Sequence, residues 1–381
     1  MTRVALVSLR HDPSWTSPAA FIAGDSTRRG ISRALADRGV DVRVVVEAGF
    51  DADAVDAHGA GVPWHFRCAD RSIRVARQLG RACGDPWPAI RTPAPHVERV
   101  LRADLPDIIH SFDLVYYPHL IALGRLGVPL VAHFHGGAAA RRPLWRALER
   151  RALSKVQRLL FTTPAQATGW IANGYSEHGV RAIFETSVDL PLLSGPRGAR
   201  SGRSPVLVCA GRLDPVKDPL TTLAGFERLL STHPNAVLHL CWTDAPMRAP
   251  VQAYARRLGS SVQLHGTLSH DAVIRLVASA DVLVQSSIRE VCGVAVLEAM
   301  ALGVPPVVTD IPAFRAVLGE CGARFAVGDA DGLAAGVRRV LVDPNAGDAC
   351  RSRFERHLSF EALAEQLCAV YADLPSAALR Q

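Results

Sequence analysis

The chain has 381 residues, 49% of them hydrophobic, and a net charge of +7; that is enough for two domains, each with its own core. No apolar run approaches the roughly 20 residues of a membrane span. Met1-Thr2-Arg3 leads straight into a strand pattern, and the eight cysteines show no Cys-x-x-Cys, which argues against a secreted, disulfide-stapled or zinc-ribbon protein and for reduced thiols in the cytoplasm.

Residues 1–190 read as alternating strands and helices: Val4–Ser8, a helix near Ser26–Arg38, Val42–Glu47, helices near Arg71–Cys83 and His96–Ala103, Ile108–His110, Leu130–Phe134, a helix near Pro143–Leu153, and Arg158–Thr162. Such alternation predicts a parallel, doubly wound sheet, whose ligands bind beyond the carboxyl ends of the strands. The turn from residue 11 to Asp25 holds Gly24 but no Gly-x-Gly-x-x-Gly. That speaks against a dinucleotide cofactor and an oxidoreductase, although Glu47 at a strand end superficially suits a ribose. Leu130–Phe134 runs into His133-Phe134-His135-Gly136-Gly137, which places a histidine at a strand's carboxyl end, and His110 lies in a similar position.

The same segment holds 24 of the 43 basic and 18 of the 36 acidic side chains, so nearly all of the net charge lies there. Arg71, Arg74, Arg77 and Arg81 recur at helical spacing, and Arg146, Arg150, Arg151, Lys155 and Arg158 line the helix whose other face is Trp145, Leu148, Ala152 and Val156. Solvated faces explain both stripes; the alternative is a surface for an anionic acceptor or an anionic membrane leaflet. Nothing resembles a nucleic-acid reader. Pro191–Pro205, rich in Gly, Pro, Ser and Arg, reads as a linker.

The second half restarts with the strand Val206–Ala210, followed by Gly211-Arg212-x4-Lys217. Asp218 and Pro219 suit the N-cap and first position of a helix over Leu220–Leu230. Strands at Val237–Cys241 and Val262–Leu264 frame a helix near Val251–Leu258, and His265-Gly266 forms the next turn. After a helix over Asp271–Ala278 comes Asp281–Gln285, an apolar strand, then Glu290, Cys292, Gly293 and a helix from Val294 to Leu302 that is apolar except for Glu298. A helix apolar on nearly every face belongs in an interior, so its carboxylate needs a partner or a purpose. Strand, glycine turn and helix aim free backbone N–H groups at an anion, and paired carboxylates suit sugar or ribose hydroxyls. Helices near Asp331–Leu341 and Phe360–Tyr371 close the chain. Asp51-Ala52-Asp53 and Asp329-Ala330-Asp331 have the spacing of an Asp-x-Asp metal motif but sit in expected turns, so no metal is expected.

Glu290-x7-Glu298 with Ala299-Met300-Ala301-x-Gly303-Val304-Pro305, preceded by Arg289 to Val294 and followed by Thr309-Asp310-Ile311-Pro312, resembles the signature of the family 4 retaining glycosyltransferases. The resemblance is densest over residues 205–345. It departs from the family where Glu185-Thr186-Ser187-Val188-Asp189 stands for the usual Asn-Gly-Val-Asp, and in the thin glycine content near Gly24. It implies the α/β GT-B fold: two Rossmann-like doubly wound domains facing each other across a cleft. Residues 1–190 would bind the acceptor, 191–204 link, 205–355 bind the nucleotide-sugar donor, and 356–381 cross back to the first domain.

It further implies that Arg212, Lys217 and the Cys292-Gly293-Val294 turn grip the donor diphosphate, Gly266 lies near the base, Glu298 holds the ribose and Glu290 contacts the transferred sugar. His135 would be the catalytic partner on the other domain, with Gly24, His110 and His133 on the acceptor side. The reaction would be metal-independent hexosyl transfer with retention, from a nucleoside-diphosphate sugar and without a further cofactor, serving glycan or glycolipid synthesis. The acceptor would be anionic or lipid-linked, with the protein cytoplasmic or peripheral on the inner membrane face. A nucleotide-sugar epimerase or hydrolase of the same architecture, and a non-catalytic sugar-nucleotide binder, stay open.

Overall fold

The computed structural model describes residues 1–9, 12–82, 92, 94–190 and 204–374. Cys83 and linker residues 191–203 lie outside the described residues, as does the Arg81 side chain. The chain folds as two compact units, Met1–Ser187 with Phe360 onward, and Val188–Ser359.

The first unit is built on an eight-stranded sheet of β1 (Arg3–Ser8), β2 (Asp41–Ala48), β3 (Ala52–Asp56), β4 (Val62–Cys68), β5 (Ile108–Ser111), β6 (Leu130–His133), β7 (Arg158–Phe161) and β8 (Val180–Ala182). Its order is β3-β4-β2-β1-β5-β6-β7-β8. All neighbours are parallel except β3 with β4. Buried parallel strands explain why β1 and β2 read as continuous apolar runs. The strand order reverses between β1 and β5, which opens a crevice at their carboxyl ends.

Helices Pro18–Gly24 and Ser26–Asp37 contribute Phe21, Ile31 and Leu35 to a core shared with Leu6, Val44, Trp64 and Phe66. The end of the chain completes that core: Phe360, Leu363, Leu367 and Tyr371 of helix Phe360–Ala372 belong to the same cluster. Gly30 makes this possible, because a Cβ there would stand 2.3 Å from the Phe360 ring.

The second unit carries a six-stranded, all-parallel sheet of β9 (Val206–Ala210), β10 (Val237–Cys241), β11 (Val262–Gly266), β12 (Val282–Gln285), β13 (Pro306–Thr309) and β14 (Ala323–Phe325), in the order β11-β10-β9-β12-β13-β14. Here the order reverses between β9 and β12. Asp218 and Pro219 start helix Pro219–Leu230 as the sequence suggests, with Asp218 accepting from Thr221 N. No helix among the described residues is long and apolar enough to cross a membrane.

Three expectations need correction. Asp51-Ala52-Asp53 is not a turn: Ala52 and Asp53 open β3, where Asp53 pairs with His65 and Arg67. Strand propensity is poor in Ala-Asp-Ala-Val-Asp, and pairing with β4 decides the matter. Asp329 caps helix Ala330–Val342 by accepting from Gly332 N at 2.8 Å. Arg77 does not belong to a solvated stripe: Arg71 and Arg74 are exposed, but Arg77 is buried and makes a two-pronged ion pair with Glu47 at 2.6 and 3.0 Å.

Candidate functional site

In the second unit the switch point gathers residues that are far apart in sequence. The loop after β9 carries Arg212, Asp214 and Lys217, and the segment after β12 carries Ser286, Ser287 and Glu290. The two are laced together. Ile288 N donates to Val216 O at 2.7 Å, and the Ser286 hydroxyl donates to Asp218 O at 2.5 Å and meets the Thr222 hydroxyl at 2.6 Å. This lacing holds Asp218 at φ +45°, in the left-handed region that non-glycine residues avoid.

Lys217 is thereby delivered to Glu290, and Nζ forms an ion pair with Oε1. The Ser287 hydroxyl donates to the same oxygen at 2.8 Å, Gln285 Nε2 lies 3.3 Å from that hydroxyl, and the Thr309 hydroxyl fixes the Ser287 carbonyl at 2.5 Å. Arg212 is more than half exposed (53%) and pairs with Asp214 at 2.9 Å, a light restraint for a cation that can turn to an anion.

Gly293 is the N-cap of helix Val294–Ala301 at φ +78°. A side chain there would be both strained and 2.6 Å from the Phe314 ring. Cys292 is buried and Val294 is partly exposed, so this turn offers a ligand backbone rather than side chains. Gly266, at the end of β11, has φ +71° and open space around its Cβ position. The turn itself requires a glycine there. Glu298 projects from the apolar helix with its side chain 8% exposed and accepts from His270 Nε2 at 2.7 Å. Burial raises its pKa, and the His270 contact pulls it only partway back.

The first unit has its own cavity, of about 430 Å³, at the β1/β5 switch point; its lining includes Ser8, Trp15, Gly24, Arg28, His135 and Glu185. Gly24 and His135 are thus brought together. Arg28 pairs with Asp25, donates to Ser8 Oγ at 2.8 Å and lies 5.9 Å over the Phe112 ring. His135 Nδ1 stands 3.8 Å from Glu185 Oε2. Gly24 leaves room for the Trp15 indole, which a Cβ would meet at 2.4 Å.

His110 and His133 do not line this cavity. Both are fully buried, in a stack with Phe112 that ends at His135, and His110 Nδ1 meets the Tyr371 hydroxyl at 2.6 Å. Burial pushes His133 down to about 4 and His110 well below its usual value, which leaves them as neutral packing groups. The loop after His135 is fixed by buried Glu149, which accepts from Ala140 N at 2.8 Å, Asn173 Nδ2 at 2.6 Å and the Tyr117 hydroxyl.

Sequence reasoning missed Ser287, Gln285 and Thr309 around Glu290, His270 on Glu298, and Trp15, Arg28 and Glu185 in the first cavity. Serine and threonine at strand ends carry no motif of their own, and His270 lies 28 residues from its partner.

The family-model description "Glycosyl transferase 4-like domain" matches residues 25–184, and "Glycosyl transferases group 1" matches residues 196–356. A glycogen synthase of Mycobacterium tuberculosis is 30% identical over a 384-residue alignment that covers 96% of this chain and 86% of that one. The chain belongs to the family 4 glycosyltransferases. An MMP alpha-(1->4)-mannosyltransferase of Mycolicibacterium hassiacum is 28% identical over 70% of each chain. Among solved structures, sucrose-phosphate synthase from Thermosynechococcus elongatus aligns with TM-score 0.66 and 19% identity over 98% of both chains. Anabaena Alr3699/HepE in complex with UDP-glucose aligns with TM-score 0.64 and 17% identity over 98% of this chain and all of that one. These likenesses give this family 4 enzyme the GT-B fold, with its two parallel-sheet α/β domains.

Proposed function

We propose that this glycosyltransferase takes its sugar from a nucleoside-diphosphate donor bound at the β9/β12 switch point, without a metal and with retention. The observation that carries the reading is the convergence of Lys217, Glu290 and Ser287 next to the N-terminus of helix Val294–Ala301. Arg212, Lys217 and the backbone N–H groups after Gly293 supply positive potential where the leaving diphosphate gathers charge, the part a divalent cation plays elsewhere. Glu290, oriented by Ser287, accepts from hydroxyls of the transferred sugar, and Glu298 accepts from the ribose. His135, with Glu185 beside it, lines the first unit's cavity, which takes the acceptor.

Titration calorimetry in EDTA with UDP, GDP and ADP tests this. One nucleotide should bind in the micromolar range and weaken at least tenfold in Arg212→Ala/Lys217→Ala. Absence of binding by all three would refute the donor site.

The exposed side of helix Pro143–Leu153 favours a membrane-associated, lipid-linked or anionic acceptor. Leu144 is 79% exposed there, among exposed Arg141, Arg142, Arg146, Arg150 and Arg151. Apolar insertion flanked by basic charge is the chemistry of peripheral contact with anionic lipid. Co-sedimentation with vesicles of 30 mol% phosphatidylglycerol (about that fraction gives a strong surface charge) should fall severalfold in Leu144→Asp/Arg146→Glu. Equal sedimentation of the variant and the native chain would dismiss the idea.

A further inference from the structure

His270 is the first residue of helix His270–Ser279, with Ser269 as the N-cap. Its side chain is 64% exposed, yet the ring reaches to within 2.7 Å of Glu298 Oε1 on a different helix. An exposed side chain gains little burial from such a reach and gives up rotamer freedom for it. A carboxylate only accepts, so Nε2 carries the proton. The Glu298 carboxylate has room for about four hydrogen bonds, and His270 is its one hydrogen-bond partner among the described residues. Oε2 therefore keeps its acceptor capacity, in an apolar surround where each added hydrogen bond counts for more than in water.

We propose that His270 is a positioning residue for nucleoside selectivity: it fixes the Glu298 carboxylate through Oε1 so that Oε2 is presented to the paired 2′- and 3′-hydroxyls of a ribose. The idea rests on the ribose role of Glu298 proposed above. Without His270, Glu298 is free to rotate, and the hydroxyls must order it at the moment of binding. His270 thus acts on the hydroxyl contacts alone and leaves the diphosphate contacts of Arg212 and Lys217 as they are.

The test compares the nucleotide that the native chain binds best among UDP, GDP and ADP with its 2′,3′-dideoxy analogue, by calorimetry on the full chain. The proteins are the native chain, His270→Ala, His270→Gln and Glu298→Gln, each checked for a single cooperative melting transition. The native chain should prefer the ribonucleotide by about tenfold or more, as expected for hydrogen bonds to a charged group. His270→Ala should lower that ratio to about threefold or less while binding the dideoxy analogue unchanged. His270→Gln, whose amide can donate to Oε1, should restore most of the preference. A preference kept in His270→Ala but lost in Glu298→Gln overturns the role of His270 alone, as does an equal loss on both nucleotides. A native chain with no preference, or Glu298→Gln that retains it, overturns the ribose role of Glu298 itself.

Discussion

Glu47 in the first unit and Glu298 in the second are both buried carboxylates, and their charges are met in opposite ways. Glu47 accepts from Arg77 through both oxygens and from His96 at 2.8 Å. Burial alone would raise its pKa, but the His96 and Arg77 contacts outweigh it and hold the group at about 2. Glu298 has the exposed His270, and its pKa stays raised. A saturated buried carboxylate is a structural fixture; an undersupplied one is a candidate for a ligand. From sequence Glu47 only superficially suited a ribose, in an oxidoreductase reading that the missing glycine fingerprint already spoke against, and its saturation removes that possibility.

The largest effect expected from this contrast is at Arg77. Arg77→Ala leaves Glu47 buried without its guanidinium and should destabilise the protein by about 3–5 kcal/mol, read as a lower urea midpoint with nucleotide affinity unchanged at low denaturant. The pH dependence has a fixed sign. The folded value near 2 lies below the ordinary glutamate value of 4.5, so the contribution of Glu47 is fully present above about 4.5 and is lost as pH falls toward 2. An Arg77→Ala protein should lose much less stability over that window. Equal acid slopes for the two proteins would break the comparison at its first term.

The smaller effect is at Glu298, and its sign is reversed. Its raised pKa means that the folded state disfavours the ionised form, so the protein carries a penalty at neutral pH that neutralisation removes. Glu298→Gln should therefore melt at the same temperature or a few degrees higher, within about 1 kcal/mol, while nucleotide affinity falls. A clear drop in melting temperature would make Glu298 a structural group like Glu47.

Much of the candidate site in the second unit was legible because its chemistry is local. Gly211 to Asp218 and Ser286 to Gly293 each run from a strand end into a helix start, where short-range geometry already aims side chains and N–H groups at one point. The first unit was harder to read. Trp15, Arg28, His135 and Glu185 come from four separate segments, and only the folded sheet brings them around one cavity. The histidines show the limit most plainly: the sequence favours His135 and keeps His110 and His133 as acceptor-side candidates, but strand register buries these two and leaves only His135 of the three on the cavity.

By itself the sequence determined most of the strands and helices and that each half builds a sheet, and it marked Arg212, Lys217, Glu290 and Glu298 as candidates, because periodicity, caps and glycine turns act over a few residues. Only the tertiary structure decided which carboxylates are saturated, that Arg77 is an internal counter-ion and not a surface charge, and that His270 meets Glu298. Those outcomes depend on burial and on contacts across tens of residues, which strand order and register set and composition does not carry.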